Sequence, residues 1–78
     1  MKKKFLEALG NKIRCFRKST GLSQEQLAEL SNLHRNYIGG LERGEKNPTI
    51  TTLLKIADGL GICLTDLLKI EKTEKNEL

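Results

Sequence analysis

Two adjacent side chains, Arg35 and Asn36, carry functional groups that can recognise bases in double-stranded DNA. Arginine can donate a pair of hydrogen bonds to guanine, and asparagine can pair in a similar bidentate way with adenine. Both residues fall in the first turn of a predicted helix, which is the part of a recognition helix that usually meets base edges. The pattern predicts a surface that reads the major groove, with a solvated polar helix face as the alternative.

The helix that would carry these residues is predicted over residues 34–43 and has two different sides. At about 100° per residue, Ile38 and Leu41 face inward. The outward side is formed by Asn36, Gly40 and Arg43. A glycine inside a helix costs roughly 1 kcal/mol relative to alanine. The presence of Gly39 and Gly40 therefore indicates that larger side chains would not fit at these positions. We expect the two glycines to let the DNA approach closely.

A second predicted helix comes directly before this one and is joined to it by a short turn. Ser23 can cap its start, and Gln26, three residues later, can complete a capping box. The helix is predicted to run to about Ser31, after which Asn32 can adopt the positive φ of a tight turn. Such a pair of helices is either a DNA-reading unit or an ordinary helical corner.

Three further helices complete an all-α prediction, because no strand pattern appears. Apolar residues recur at spacings of three and four over residues 5–19, which predicts the first helix. The fourth predicted helix is capped by Thr49 and ended by Gly61, and its apolar stripe is Ile50, Leu53, Leu54, Ala57 and Leu60. The fifth begins near Cys63 and carries Leu64, Leu67 and Leu68.

Length and composition indicate one small globular domain. The chain has 78 residues, 37% apolar and 31% charged, which is neither a disordered nor a membrane composition. We expect the domain to span residues 1–70 and the charged tail, 71–78, to fray. The formal net charge of +4 favours a polyanionic partner.

The cellular compartment predicted from the sequence is the cytoplasm. The basic start of the chain is followed too soon by polar residues to be a signal peptide, and no apolar run approaches membrane-spanning length. Cys15 and Cys63 form neither a CxxC motif nor a disulfide framework, so two reduced cysteines are expected.

The sequence gives almost no support for an enzymatic function. There is one histidine, and no cluster of cysteine, histidine and carboxylate residues has metal-ligand spacing. No nucleophile–base arrangement and no phosphate-cradling glycine loop appears. We therefore expect no catalytic residues, no metal, no cofactor and no small-molecule ligand.

Over roughly residues 6–69 the sequence resembles the Cro and phage-repressor type of helix-turn-helix regulator, also called the Xre family. The matching stretches are Leu9-Gly10-Asn11-Lys12-Ile13-Arg14, Gly21-Leu22-Ser23-Gln24-Glu25-Gln26-Leu27-Ala28, Tyr37-Ile38-Gly39-Gly40-Leu41-Glu42-Arg43-Gly44-Glu45 and Asn47-Pro48-Thr49-Ile50, continuing through Ile56-Ala57 to Leu60-Gly61. The resemblance implies a compact five-helix, lambda-repressor-like fold and a transcriptional regulator that binds double-stranded DNA sequence-specifically. Within the family, the chain looks most like controller proteins of restriction–modification systems.

The resemblance implies a DNA-binding role for residues of the second and third helices and the segment that follows. Arg35 and Asn36 would read bases, while His34 and Tyr37 would touch bases or backbone. Residues implied to contact the DNA backbone are Gln24, Gly40, Arg43, Lys46 and Asn47. For Gln24, the amides at the start of its helix would help to hold the phosphate.

The family pattern also implies a structural ion pair between Arg17 and Glu42, which would join the first and third helices. Removal of one partner from such a buried pair can cost about 3–5 kcal/mol. Cys63 departs from the pattern, because the family often has serine there, and we expect a weak cap on the fifth helix.

Dimerisation is expected because one short recognition helix reads few base pairs. Family members bind as two-fold dimers on palindromic operators, with half-sites about 34 Å apart. We expect the interface on the fifth helix and the end of the fourth, although core packing could explain some of its leucines. The predicted interface residues are Cys63, Leu64, Leu67, Leu68 and Ile70.

Three weaker features each have a plain alternative. Glu25 and Glu29 lie one turn apart and match positions that touch RNA polymerase in some phage repressors, but a solubilising pair is the default. Leu30 is either a contact surface or an exposed leucine, and the latter is favoured. The run of lysines at 2–4 either holds phosphates or forms a solvated basic tail, which is the default.

Three functions therefore follow from the sequence in order of preference. The first is a dimeric regulator of a restriction–modification operon. The second is a phage or plasmid repressor, or an antitoxin that binds its own promoter. The third, of another class, is a protein-interaction module that uses the helical scaffold without reading bases.

Overall fold

The computed structural model describes residues 2–70 and contains, in that range, five helices and no strand. The helices are α1 (Lys2–Ser19), α2 (Gln24–Ser31), α3 (Arg35–Glu42), α4 (Ile50–Leu60) and α5 (Leu64–Leu68). The predicted all-α fold class is confirmed. The tail predicted over 71–78 lies outside the described residues. None of the described helices is long and apolar enough to cross a membrane.

The ends of α2 are set by hydrogen bonds that involve its own neighbouring residues. Ser23 Oγ accepts a hydrogen bond from the Gln26 N–H at 3.0 Å, and Gln26 Oε1 accepts one from the Ser23 N–H at 2.8 Å. This reciprocal capping box satisfies two amides that the helix itself leaves unpaired. The helix ends at Asn32, whose φ of 59° reverses the chain toward α3. The predicted cap and turn are both confirmed.

The core lies between all five helices, because each helix contributes one side chain with no exposed surface. Burial of such a side chain stabilises the fold by roughly 1.5–3 kcal/mol. These fully buried residues are Ile13, Leu27, Ile38, Ile56 and Leu67. Helix α2 packs against both α3 and α4, and α1 packs against α3 and α5. Helix α3 is therefore held by both α1 and α2.

The apolar stripe of α4 differs from the one predicted. Ile50 is 59% exposed and Leu54 is 50% exposed, whereas Ile56, which the prediction omitted, is fully buried. Leu54 lies at the edge of the buried stripe, and Ile50 occupies the first turn, beyond the packed part of the helix. The prediction was wrong at these two positions because periodicity alone does not show how far neighbouring helices extend.

Two glycines allow the helices to approach one another closely. A Cβ added to Gly10 of α1 would meet the carbonyl oxygens of Leu41 and Glu42 in α3. A Cβ added to Gly59 of α4 would lie 2.6 Å from Ser31 Oγ in α2. That hydroxyl is buried and has no hydrogen-bond partner among residues 2–70. The backbone positions of α3 and α4 therefore depend on the absence of a side chain.

Candidate nucleic-acid interface

The exposed part of α3 is its first turn. Arg35 and Asn36 are exposed, Tyr37 is half-buried, and the five residues 38–42 are buried. Ile38 and Leu41 face the core, as their spacing predicts. The helix thus offers two polar side chains to a partner at its N-terminal end and anchors itself with the rest.

His34 caps the start of α3. Its Nδ1 accepts a hydrogen bond from the Asn36 N–H at 3.0 Å, which requires an unprotonated Nδ1. Nε2 is then the ring nitrogen that the cap does not use. The sequence prediction gave His34 a contact with bases or backbone and missed this cap, although the residue before a helix start is where a cap acceptor is needed.

Arg35 faces Glu25, a residue in the first turn of α2. Arg35 Nη1 lies 3.5 Å from Glu25 Oε1, and the two side chains are 62% and 73% exposed. This ion pair spans the turn between the two helices and leaves both charged groups open to solvent. Sequence analysis placed the two residues in separate roles and did not predict their contact.

The glycines of α3 make room for side chains of this protein. A Cβ on Gly39 would lie 3.2 Å from Arg43 Nη1 and 3.4 Å from Gln24 Oε1. A Cβ on Gly40 would lie 2.8 Å from Lys46 Cε. Both glycines are buried. Lys46 covers Gly40 in the free protein, so the predicted contact between Gly40 and the DNA backbone would require this flexible side chain to move.

The segment after α3 presents the predicted backbone-binding residues on the surface. Arg43, Lys46 and Asn47 are all exposed. The Lys46 ammonium lies 6.0 Å from the centre of the Tyr37 ring, a cation–π distance, while its methylene groups lie over Gly40. Lys46 and the aromatic ring of α3 thus form one continuous surface.

Arg43 pairs with Glu45 within the same segment. Arg43 Nε donates to Glu45 Oε2 at 3.1 Å. This hydrogen bond lowers the pKa of the Glu45 carboxyl and raises that of the Arg43 guanidinium. Both groups are exposed, so solvent screens the pair, and it leaves Arg43 accessible to a phosphate.

A buried ion pair joins α1 to the end of α3. Arg17 Nε and Nη2 donate to the Glu42 carboxylate at 2.6 and 3.0 Å, and Arg17 Nη1 donates to the Leu22 carbonyl at 2.9 Å. Both side chains are almost fully buried. The bidentate geometry satisfies each charge with several hydrogen bonds, which is the condition for a buried pair to be tolerated.

Gln24 is attached to this buried pair. Its Nε2 donates to Glu42 Oε1 at 3.0 Å, and its side chain lies beside Gly39. The sequence prediction gave Gln24 a phosphate contact and missed the bond to Glu42. One amide hydrogen is therefore engaged inside the protein, and the side chain is fixed between the start of α2 and the end of α3.

The predicted dimer interface is only partly on the surface. Cys63 and Leu68 are exposed, Leu64 and Ile70 are half-buried, and Leu67 has no exposed surface. Leu67 belongs to the core, so its assignment to the interface was wrong. Its position in a five-residue helix allowed either role, and packing against α1 and α4 decides between them.

The cap of α5 is weak, as the sequence predicts. No side-chain hydrogen bond is formed by Cys63 at this helix start. The Asp66 carboxylate instead accepts from the Cys63 N–H at 3.2 Å. Cys15 and Cys63 are both free thiols at the surface. Within residues 2–70, no group of three or more potential ligands could hold a metal ion.

Comparison with known proteins assigns the family. A helix-turn-helix family model matches residues 13–68, which include α2, α3 and α4 in full. The chain belongs to the helix-turn-helix family. The match includes every residue that we place on the candidate DNA surface and omits the lysines at the start of α1.

Several relatives of this helix-turn-helix protein are named as regulators. It is 48% identical over 62 residues to the control protein C.SmaI of Serratia marcescens, covering 80% of this chain and 74% of that one. It is 39% identical over 69 residues to the immunity repressor of Bacillus phage phi105, covering 88% of this chain and 48% of the repressor. Among solved structures, the restriction–modification controller C.AhdI of Aeromonas hydrophila superposes with a TM-score of 0.79 at 45% identity, covering 80% of this chain and 94% of that one.

Proposed function

We propose that this helix-turn-helix protein is a transcriptional regulator that binds double-stranded DNA sequence-specifically, as a homodimer on a palindromic operator. The observation that carries the proposal is the first turn of α3, where Arg35 and Asn36 are exposed while the rest of the helix is buried. A helix anchored in this way can enter the major groove with only its reading residues in front.

The backbone of the DNA would be held on both sides of α3. Arg43, Lys46 and Asn47 lie exposed after the helix, and Gln24 lies at the start of α2, where free amides favour a phosphate. His34, through Nε2, and Tyr37 would reach the groove edge. The net charge of +4 adds a non-specific attraction that weakens as salt is added.

The proposed dimer surface combines α5 with the first half of α4, where apolar residues are exposed, and not with the end of α4 as the sequence predicts. Leu68 of α5 is 38% exposed, and Ile50 and Leu54 lie one turn apart on the adjoining α4 with half or more of their surface in water. Cys63, Leu64 and Ile70 would complete it. A second copy of this chain is the occupant proposed, because a two-fold dimer doubles the number of base pairs read and matches a palindromic operator.

Control of a restriction–modification operon is the specific role that we propose, with repression in a phage or plasmid as the second candidate. Similarity to the C.SmaI control protein and the C.AhdI controller supports the first, and similarity to the phi105 repressor supports the second. The exposed Glu25 and Glu29 are proposed to contact RNA polymerase. The proposed cellular location is the cytoplasm. Neighbouring methyltransferase and endonuclease genes would distinguish the first role from the second.

The test is selection of bound sequences from a pool of random DNA duplexes. We expect enrichment of an inverted repeat whose half-sites are spaced by about one helical turn, or 34 Å. Arg35→Ala should relax the preference at one base pair in each half-site. Absence of any enriched sequence, with equal affinity for all duplexes, would contradict the proposal and favour a protein-interaction module.

A further inference from the structure

The ion pair between Glu25 and Arg35 contributes little to folding. Its atoms are 3.5 Å apart and both side chains are more than half exposed, so water and salt screen their attraction. Arg35 forms no other salt bridge within residues 2–70. The pair nevertheless lies on the surface proposed to meet DNA, and its effect should therefore appear in binding.

Arg35 has two kinds of acceptor available on any duplex. Phosphate oxygens are charged and occur at every position, whereas the acceptors of guanine are neutral and occur only in certain sequences. An arginine that pairs with a phosphate strengthens binding to every DNA sequence equally and contributes no sequence discrimination. Specificity therefore depends on what keeps its guanidinium in the groove.

Glu25 is placed where it can influence whether Arg35 pairs with a phosphate or with a base. It lies beside Gln24 at the start of α2, the end of that helix proposed to approach a phosphate. A carboxylate there repels a phosphate and competes with it for Arg35. Arg35 approaches the carboxylate from Nη1 at 3.5 Å and donates no side-chain hydrogen bond within residues 2–70, so its guanidinium keeps donors for a base.

We propose that Glu25 is a specificity-determining residue that positions Arg35 for base reading and opposes its pairing with phosphates. This inference rests on the proposed function as a sequence-specific DNA-binding protein. Glu25 touches no base itself, and it acts by lowering the affinity for random DNA more than the affinity for the operator.

The experiment compares Glu25→Gln with Glu29→Gln in the full chain, with no polymerase present. Binding of the selected operator and of a random duplex is measured by fluorescence anisotropy at several salt concentrations. We expect Glu25→Gln to raise the affinity for random DNA by about two- to fivefold, the range of an exposed ion pair. The operator affinity should change less, so the ratio of the two falls. Glu29→Gln removes the same charge one turn away, from a side chain that forms no salt bridge with Arg35 within residues 2–70, and should leave the ratio unchanged.

The same substitution in an Arg35→Ala background separates positioning from simple repulsion. If Glu25 acts through Arg35, Glu25→Gln should no longer alter the ratio there. An equal gain for random DNA with and without Arg35, or equal ratios for the two glutamine variants, would overturn the inference alone. A wild-type protein with no preference for any selected operator would overturn the proposed function as well.

Discussion

The guanidinium groups of Arg17, Arg35 and Arg43 have the same chemistry but three different surroundings. Arg17 is buried and fully hydrogen-bonded, which makes it part of the framework. Arg35 is exposed at the tip of α3, where a base can meet it. Arg43 is exposed beyond the C-terminal end of that helix, where the DNA backbone would pass. Their substitutions should therefore affect different measurements.

Substitution of Arg35 should change which sequence is bound. Arg35→Ala removes the bidentate donor, and we expect discrimination at one base pair per half-site to fall by roughly 1–3 kcal/mol. Competition between the operator and single-base variants measures this loss. Arg43→Ala is the matched control, because loss of a phosphate contact should weaken binding to every sequence and flatten the salt dependence. An unchanged base preference in Arg35→Ala would show that α3 is oriented differently on DNA.

Substitution of Glu42 should change stability. Glu42→Ala leaves the buried Arg17 charge without its partner and frees Gln24, so unfolding in urea should require about 3–5 kcal/mol less free energy. Glu45→Ala breaks the exposed pair with Arg43 and should leave the urea midpoint almost unchanged. Similar midpoints for the two variants would mean that the buried pair contributes no more than a surface pair.

At the scale of the helices, the sequence reveals local signals such as caps and turns, but it does not reveal contacts between residues that are distant in the chain. The cap at Ser23 and the turn at Asn32 were predictable, since both depend on residues within a few positions of each other. The surroundings of Gly10 and Gly40 were not, because Leu41 and Lys46 reach them only after the chain has folded. Periodicity identified the buried side of α3, but it failed at Ile50 and Leu54 of α4 because it does not show how far neighbouring helices extend.

Substitution of the two glycines tests this distinction. Alanine favours a helix over glycine by roughly 1 kcal/mol, so a glycine with free space should be improved by it. Gly10→Ala forces a Cβ against the backbone of α3 and should lower the thermal midpoint strongly. Gly40→Ala meets only the flexible side chain of Lys46, from Cγ to Cε, and should leave the midpoint equal or higher. A stabilising Gly10→Ala would contradict the close approach of α1 and α3.

In the candidate site, too, the sequence predicts features that depend on neighbouring residues and does not predict contacts between separate helices. The exposure of Arg35 and Asn36 could be predicted from their helical position, and their role as base readers stays a prediction. The ion pair between Arg35 and Glu25 and the hydrogen bond from Gln24 to Glu42 could not be predicted, because each joins residues from separate helices. The prediction for Leu67 failed because a five-residue helix carries too little periodicity to separate a core face from an exposed one.

At the scale of the whole molecule, the large apolar side chains that are exposed lie on four of the five described helices. Ile50, Leu54 and Leu68 expose apolar groups on α4 and α5, whereas Phe5 on α1 and Leu30 on α2 are each the single large apolar residue exposed on their helix. Several exposed apolar residues on adjoining helices are typical of an interaction surface, and single ones are normal for any protein. Only the first group is therefore proposed to hold a second copy.

A charge introduced on α4 should separate the dimer without unfolding its subunits. Leu54→Asp places a carboxylate on a half-exposed position, and we expect the dissociation constant to rise at least about tenfold because a lone charge is costly to bury. Sedimentation equilibrium measures it, and circular dichroism checks that the helices remain. Leu30→Asp makes the same change at a more exposed site and should leave the dimer intact. Loss of association in both variants would place the interface elsewhere.

The division of α3 into an exposed first turn and a buried remainder bears on how such a protein can evolve. Arg35 and Asn36 pack against nothing in the core, so replacing them should alter folding by no more than about 0.5 kcal/mol. Ile38, Leu41 and Glu42 allow no such freedom. A descendant could therefore acquire a new target sequence through one or two codon changes while inheriting its scaffold intact.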